Sequence, residues 1–259
     1  MAVDLTQFER GAPFDGDYHA ALSGLQQRLA QLQIAQIVHG TRAIIIFEGW
    51  AGAGKRAALK RLVASWDPCR VSTRCVGPND NGGDGRHWLA PFWSALPPAG
   101  DTTIFHHSWY RRLLDDRARG LDDKRWARAC DEINEFESQQ RDHGTLMIKL
   151  FFHVSADEQH QRLSERLADP WRRHLTGSEV PPSKEARAAT TAALQDMFLA
   201  TDTRWAPWRV IDANDRQAAR IAAMTALVEA FEKSVPSEPP ATGDTVIAFP
   251  HQKTSYPSG

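Results

Sequence analysis

The stretch Ala43–Arg56, with the sequence AIIIFEGWAGAGKR, decides the fold of this chain. Ala43–Phe47 is an uninterrupted apolar run of the kind that forms a buried parallel strand. The segment from Gly49 to Lys55 matches the G-x-x-x-x-G-K pattern of a phosphate-binding loop. In such a loop the backbone N–H groups point toward a phosphate, the next helix presents its positive end, and the lysine reaches the outer phosphates. The stretch therefore predicts a strand, a phosphate-binding loop and a helix in succession.

Arg56 departs from the full loop motif, because it follows the lysine at the position where a Ser or Thr would ligate magnesium. Two other interpretations of the stretch stay open. One is a glycine-rich turn without a ligand, which the helix-forming residues 57–62 disfavour. The other is a dinucleotide-binding fingerprint, since Gly52–Ala57 fits G-x-G-x-x-A. That fold wants an acid at the end of the second strand, and the candidate strand Arg70–Val76 is followed by Gly77.

The composition indicates one globular domain. A chain of 259 residues with 42% hydrophobic content can bury one sizeable core. A net charge of −1 and a pI near 6.8 argue against a nucleic-acid-coating surface, so a polyanion site must be a local basic pocket. Residues 1–6 do not resemble a signal peptide and no run has the length of a membrane span, so we expect a cytoplasmic protein without a membrane partner. Cys69, Cys75 and Cys130 form no C-x-x-C pair, and we expect reduced thiols and no zinc.

Apolar runs alternate with helical patterns along the chain, which predicts a parallel sheet covered by helices. The fold class expected is α/β, a three-layer α/β/α domain of the phosphate-loop kinase type with a five-stranded parallel sheet and a helical lid. The predicted strands are Ala43–Phe47, Arg70–Val76, Thr102–Phe105, Leu146–Val154 and Arg209–Asp212. The main predicted helices are Tyr18–Val38, His87–Leu96, Asp122–His143, Asp157–Leu167, Ser183–Ala200 and Arg216–Phe231.

The same patterns divide the chain into three parts. Residues 1–18 have no periodicity and are expected to form an arm that packs on the domain or on a neighbouring subunit. Residues 19–233 form the phosphate-loop domain, with a lid at about 162–190. Residues 234–259 are rich in proline and small polar residues, which is typical of a flexible tail.

Two arginines of the predicted lid lie on one face of a helix. Arg162 and Arg166 are four residues apart, which is like-charge crowding that an isolated helix avoids. Such a pair indicates an anion or acidic side chains nearby. The alternative is a solvated face on which Glu158 and Glu165 balance the two charges.

The third predicted strand ends at His106, where phosphate-loop proteins commonly carry an acid that positions magnesium. Neighbouring residues on a strand point to opposite faces, so only one of His106 and His107 can face the loop. We therefore expect no metal site from this pair and a structural role for at least one of its members.

Taken together, the motifs resemble those of the family-two polyphosphate kinases, phosphate-loop proteins related to thymidylate kinases that pass a phosphoryl group between inorganic polyphosphate and a nucleotide. The resemblance runs from about Leu25 to Glu232. Its carriers are Phe47–Trp50, Ala53–Lys55, Ser108–Tyr110, Arg112, Glu158–Gln159, Arg162, Arg166, Asp169–Pro170, Trp205–Trp208 and Asp212–Arg216.

The resemblance implies substrates, a cofactor and a set of site residues. The substrates are inorganic polyphosphate and ADP, GDP or AMP, the cofactor is magnesium, and relatives form homo-oligomers. The implied catalytic residues are Lys55, Arg112 and His106. The implied phosphate-binding residues are Gly49, Gly52, Ala53, Gly54, Lys55, Arg56, Arg162, Arg166 and Arg172.

The chain departs from the family pattern at its two carboxylates, since Ala51 and His106 stand where the family has aspartates. Two functions stay open: an active phosphotransferase, or a non-catalytic homologue that binds polyphosphate or nucleotide in a regulatory or assembly role. A kinase of another small metabolite would need an acid near the loop, for which Glu48 and Asp80 are candidates. We also expect binding to tighten near pH 6 as His106 and His107 become cationic.

Overall fold

The computed structural model of the protein describes residues 3–77, 85–176 and 180–239. Short 3-10 helices lie at Leu5–Phe8 and Pro68–Arg70. The helices and strands in chain order are α1 (Tyr18–Val38), β1 (Arg42–Gly49), α2 (Lys55–Val63), β2 (Val71–Cys75), α3 (Ala90–Trp93), β3 (Thr102–His106), α4 (Trp109–Ala118), α5 (Asp123–Asp142), β4 (Thr145–His153), α6 (Ala156–Ala168), α7 (Arg173–Thr176), α8 (Lys184–Thr201), β5 (Trp208–Asp212) and α9 (Arg216–Ser234).

All five strands form one parallel sheet in the order β2-β3-β1-β4-β5. The first strand, β1, lies at the centre, and Ala43–Phe47 is fully buried because helices cover both faces of the sheet. On one face, α1 and α2 pack against α9, and on the other, α4 and α5 pack against α8. The expected three-layer α/β domain is confirmed.

Parallel strands bring their carboxyl ends to one edge of the sheet, which is where ligands bind in open α/β folds. The loop after β1, the turn after β3 and the segments after β4 and β5 therefore converge at this edge. Each of the helices that follow begins with a capping side chain or a loop glycine. Ser108 caps α4, Ser155 caps α6, Asp215 caps α9, and Gly54 precedes α2.

Most predicted elements are present within one or two residues of their expected bounds. The predicted helix His87–Leu96 is shorter than expected, because only Ala90–Trp93 is α-helical. Helix α4 was not predicted, and its first two residues, Trp109 and Tyr110, are fully buried in the core. The lid remains a prediction; α7 and parts of α6 and α8 lie within its bounds.

Parts of the predicted organisation fall on residues outside the described ranges. These parts are Asp80, residues 177–179 of the predicted lid, and the tail from residue 240 onward. The N-terminal arm is described, and it packs on its own domain. Glu9 bonds to His153 at 2.9 Å between Oε1 and Nε2, the Gly11 N–H donates to Asp212 Oδ2 at 2.9 Å, and Leu5 is buried.

None of the helices in the described ranges combines the length and apolar character that a membrane crossing requires.

Candidate functional site

The glycine-rich loop connects β1 to α2 at the carboxyl edge of the sheet. Gly49 has a φ of +129°, and a Cβ atom there would lie 2.2 Å from the carbonyl oxygen of Phe152, so only glycine lets the chain turn against β4. Gly54 has a φ of +93° and leads directly into α2 at Lys55. The loop backbone and the positive end of α2 thus lie side by side, as phosphate binding requires.

Lys55 is buried under the loop. The residue is only 5% exposed, and Nζ donates to the carbonyl oxygens of Gly49 at 2.6 Å and Trp50 at 2.8 Å. The ammonium therefore holds the loop in its turn. It also lies close enough to the β3 end to influence the pKa values of Glu48 and His106.

A cleft of about 570 Å³ opens beside this loop. Its walls come from the loop, α2, the end of β3, α6, the α6–α7 connection and the start of α9. Among the described residues it is lined by nine cationic side chains and one carboxylate. The cations are Lys55, Arg56, Lys60, Arg61, Arg162, Arg166, Arg172, Arg216 and Arg220, and the carboxylate is Glu165. The expected local basic pocket in a chain of balanced charge is present.

The cleft brings together most of the residues that the sequence singled out. Gly52, Ala53, Gly54, Lys55, Arg56, His106, Arg162, Arg166 and Arg172 all line it. Gly49 does not, because it packs against Phe152 beneath the loop. Arg112 does not line it either. It lies on α4, and its side chain is beside Trp88.

Four cationic residues of the cleft were missed by the sequence analysis: Lys60, Arg61, Arg216 and Arg220. A signal was present for three of them. Lys60 follows Arg56 by four residues on α2, and Arg216 and Arg220 have the same spacing on α9, so each pair lies on one helix face. Both helices begin at the carboxyl edge of the sheet.

Arg162 does not repel Arg166 across an open lid face. Its side chain is 4% exposed and Nε donates to Glu158 Oε1 at 2.6 Å. Its Nη2 donates to the carbonyl oxygen of Asn214 at 2.6 Å, and its Nη1 to that of Gly52 at 3.3 Å. Glu158 thus balances Arg162, as the alternative held, but within the structure rather than on a solvated face. Arg162 joins α6 to the loop and to the turn after β5.

The turn after β3 is built around the buried carboxylate of Glu48. Glu48 Oε1 accepts from the Ser108 N–H at 2.7 Å and from Ser108 Oγ at 2.9 Å, and Oε2 accepts from His107 Nδ1 at 2.9 Å. Burial opposes ionisation of Glu48, but His107, Ser108 and Lys55 outweigh it and lower its pKa. His107 has a φ of +63°, a left-handed conformation that a side chain adopts at a cost of about 1–3 kcal/mol. The structure thus gives His107 the expected structural role and points His106 at the cleft.

The pKa values of the two histidines are both lowered, which does not support the expected tightening of binding near pH 6. Burial, followed by the nearby charge of Lys55, lowers the pKa of His106 to about 3. The same two causes lower the pKa of His107 despite its bond to Glu48. The imidazole of His106 is therefore neutral at pH 6, and that of His107 is harder to protonate than an ordinary histidine.

Arg112 contacts Trp88, which lines a second cavity. Its Nη1 donates to the carbonyl oxygen of Trp88 at 3.5 Å, and its guanidinium carbon lies 5.9 Å from the Trp88 ring centroid. The cavity has a volume of about 490 Å³. An aromatic and aliphatic wall of Trp88, Leu113, Leu121 and Ala129 faces charged residues that include Asp116, Lys124, Arg125 and Arg128.

Two series of contacting side chains support the loop from behind, and neither set of contacts was predicted from the sequence. Trp50 Nε1 donates to His153 Nδ1 at 2.9 Å, so His153 carries its proton on Nε2 and donates it to Glu9. Arg187 of α8 stacks on Trp50 at 4.1 Å from the ring centroid and bonds to Gln159 Oε1. Gln159 Nε2 in turn donates to the carbonyl oxygen of Ala51 at 3.0 Å.

The donor set of the cleft does not fit a magnesium ion held by the protein. Magnesium takes oxygen ligands in an octahedron and is usually bound through one or two carboxylates. Glu165 is the one carboxylate of the described lining, and it pairs with Arg216 at 3.2 Å. Among the described residues no group of three or more His, Cys, Asp or Glu side chains is arranged to hold a metal. Glu48 also cannot serve as the acid of a small-metabolite kinase, because its oxygens are bonded within the β3–α4 turn.

Comparisons with known proteins agree with this geometry. The family model described as "Polyphosphate kinase 2 (PPK2)" matches residues 14–239. The chain is 34% identical over 226 residues to the polyphosphate:AMP phosphotransferase of Acinetobacter johnsonii, covering 87% of this chain and 47% of the relative. It is 30% identical over 231 residues to the GDP-polyphosphate phosphotransferase of Mycolicibacterium smegmatis, covering 87% of this chain and 82% of the relative. It therefore spans about half the length of the AMP-dependent relative and most of the GDP-dependent one.

A solved structure is similar over nearly the whole chain. The polyphosphate kinase 2 of Arthrobacter aurescens TC1 superposes with a TM-score of 0.79 at 27% identity, covering 95% of this chain and 89% of that one. The putative polyphosphate kinase 2 of Pseudomonas aeruginosa PA01 superposes with a TM-score of 0.76 at 29% identity, covering 90% of this chain and 49% of that one.

Proposed function

Because the chain belongs to the polyphosphate kinase 2 family, we propose that it moves a phosphoryl group between inorganic polyphosphate and a nucleoside mono- or diphosphate. AMP, ADP and GDP are the candidate nucleotides, since relatives carry these in their names. The observation that carries the proposal is the cleft with nine cations and one carboxylate beside a phosphate-binding loop. A cleft of this charge suits a chain of phosphates better than a neutral metabolite.

Polyphosphate lies in the cationic cleft in this proposal. The loop N–H groups at Gly52–Gly54 and the start of α2 bind the phosphates nearest the transfer point. Arg56, Arg166 and Arg172 lie along the walls and neutralise the phosphates farther out. Phosphoryl transfer depends mainly on positioning and on charge neutralisation, and these residues supply both.

The nucleotide lies across the turn after β3, with its base in the second cavity. Trp88 offers a ring on which a base stacks, and Leu113 and Leu121 form an apolar wall beside it. Arg112 is in contact with Trp88, so it is suited to bind a phosphate of a nucleotide whose base lies in the second cavity.

The magnesium expected from the family resemblance does not fit the side chains of this cleft, and no step of the proposal is assigned to it. What the protein contributes is cationic charge, backbone N–H donors and substrate orientation. The cytoplasmic location and the homo-oligomeric state remain predictions, the second of which light scattering on the purified protein tests directly.

A second function is favoured by the same donor set. Ala51 and His106 place a methyl group and a neutral imidazole at the positions that the resemblance assigns to carboxylates. A chain with these residues suits a homologue that binds polyphosphate or nucleotide with little turnover, in a regulatory or assembly role. Binding and transfer must therefore be measured separately.

The deciding experiment offers polyphosphate with AMP, ADP or GDP in the presence of magnesium or manganese and follows the nucleotide products by chromatography. Formation of the nucleotide with one more phosphate, abolished in an Arg56→Met/Arg166→Met variant, supports the phosphotransferase. Polyphosphate binding without product supports the second function. Failure to bind polyphosphate at all contradicts both.

A further inference from the structure

The described lining of the cleft has a large excess of positive charge, with nine cationic side chains and one carboxylate. We infer that it binds a polyphosphate chain through its own side-chain cations and loop N–H groups, without a divalent metal ion held by the protein. This inference rests on the proposed function for its ligand. It goes further by assigning the charge neutralisation to the protein rather than to a metal.

Within residues 3–77, 85–176 and 180–239, the carboxylate that lines the cleft, Glu165, and the buried carboxylate of Glu48 both have protein partners. Glu165 is bonded to Arg216, and with its side chain 51% exposed it lies on the rim rather than at the loop. Glu48 is 3% exposed and accepts three hydrogen bonds from His107 and Ser108. Freeing it for a metal would leave those buried donors without partners, at a cost of about 1–3 kcal/mol each.

The residues nearest the loop are poor magnesium ligands. Ala51 lines the cleft with a methyl group, and its carbonyl oxygen accepts from Gln159 Nε2 at 3.0 Å. His106 presents an imidazole, and imidazole suits zinc, copper or iron rather than magnesium. These two positions face the cleft from the loop and from the end of β3, which is where a carboxylate pair would have to stand.

The cations are numerous enough to replace a metal in neutralising the ligand. Lys55 is buried beneath the loop, Arg162 is buried at its side, and the remaining seven cations surround the opening. Charges in such a partly enclosed cleft act at a lower effective dielectric than in bulk water, which strengthens their attraction to phosphate. Magnesium bound to the polyphosphate would neutralise part of its negative charge and so weaken that attraction. Affinity is therefore expected to be equal or higher when magnesium is removed.

The test is calorimetric titration of the full chain with polyphosphate of defined length, in EDTA and in millimolar magnesium. The informative variant is Ala51→Asp/His106→Asp, which places two carboxylates at the loop and at the end of β3. Its matched control is Ala64→Asp/His143→Asp, with the same residue changes at exposed positions near the opposite edge of the sheet. Thermal melts of each variant establish that it is folded.

The wild-type protein is expected to bind in EDTA at least as tightly as in magnesium. The double variant in the cleft should bind at least about tenfold more weakly in EDTA and recover when magnesium is added. The control should behave like the wild type. Wild-type affinity that falls tenfold or more in EDTA overturns the inference while leaving polyphosphate as the ligand. Failure to bind in either condition contradicts the proposed function itself.

Discussion

Replacement of Lys55 by methionine tests the loop at the residue on which its conformation and its charge both depend. Lys55 Nζ donates to two loop carbonyl oxygens, those of Gly49 at 2.6 Å and Trp50 at 2.8 Å. Methionine keeps an unbranched apolar stem of similar length and removes the ammonium group. The variant therefore loses both hydrogen bonds and one buried cation of the cleft.

The structure sets the size of both effects. A hydrogen bond from a charged group contributes at least about 1.5 kcal/mol, so the two bonds together stabilise the fold by about 3 kcal/mol. In a chain of this size that corresponds to a fall in Tm of roughly 6–12 °C. Loss of the cation at the loop should also weaken polyphosphate binding at least about tenfold, or about 1.4 kcal/mol.

Thermal unfolding followed by circular dichroism measures the first effect, and calorimetric titration with polyphosphate measures the second. Lys60→Met is the matched control, because Lys60 lines the same cleft but is exposed. Its free energy of unfolding should change by no more than about 0.5 kcal/mol, as for most surface substitutions. Its affinity should fall only a few-fold.

Two results would refute this reasoning. If Lys55→Met melts at the same temperature as Lys60→Met, the two carbonyl bonds do not hold the loop. If the folded Lys55→Met protein binds polyphosphate as tightly as the wild type, the lysine is not a phosphate ligand, and the loop must hold its anion by backbone groups alone.

Three further predictions concern the surroundings of the cleft. Glu137 and Lys149 form a fully buried ion pair at 3.0 Å, and Glu137 also accepts hydrogen bonds from Trp109 Nε1 and the Tyr110 hydroxyl. Glu137→Gln should lower the free energy of unfolding by about 3–5 kcal/mol in urea titrations, and Glu137→Met/Lys149→Met should also be destabilising, because it leaves those two buried donors without their acceptor. The pKa of His106 is lowered to about 3, so the unfolded chain takes up this proton first as the pH falls. Stability should then decline below about pH 6.5, by up to about 1.4 kcal/mol per pH unit for this residue, and His106→Asn should flatten that slope. Arg187→Gln removes the contact with the Trp50 ring and should speed amide hydrogen exchange in residues 50–54 without changing exchange in β1; equal exchange would show that Arg187 does not support the loop.

The loop and the sheet were predictable because their signals are local. An apolar run that ends in glycines and a lysine requires a buried strand, a turn with positive φ and a helix start, whatever surrounds it. Ala43–Phe47 and Gly54–Lys55 take up these conformations in the structure. The capping serines and the helical spacing of leucines are local in the same sense.

The backbone partners of the buried cations were not predictable. Every residue has a carbonyl oxygen, and a sequence does not show which of them a side chain will reach. Arg162 was expected near an anion or acidic side chains and pairs with Glu158, but its bonds to the carbonyl oxygens of Gly52 and Asn214 were not predicted. The same holds for the bonds of Lys55 to the loop carbonyl oxygens. The spacing of Arg162 and Arg166 predicted a shared face correctly, but it contained no information on depth.

The four cationic residues added by α2 and α9 were missed for a topological reason. Arg216 lies 160 residues after Arg56 in the chain, and only the strand order brings the two helix starts to one edge of the sheet. The buried role of Glu48 has a similar origin, since its partners His107 and Ser108 directly follow β3, the strand that pairs with β1.

A crystal structure of the protein with tripolyphosphate in EDTA tests directly whether the cleft binds a phosphate chain without a divalent metal. We predict phosphates within hydrogen-bonding distance of the loop N–H groups at Gly52–Lys55, with further phosphates contacting Arg56 or Arg166 and no metal between them. Phosphate density confined to the Trp88 cavity, or a vacant loop in crystals grown at a concentration that calorimetry shows to be saturating, would contradict it.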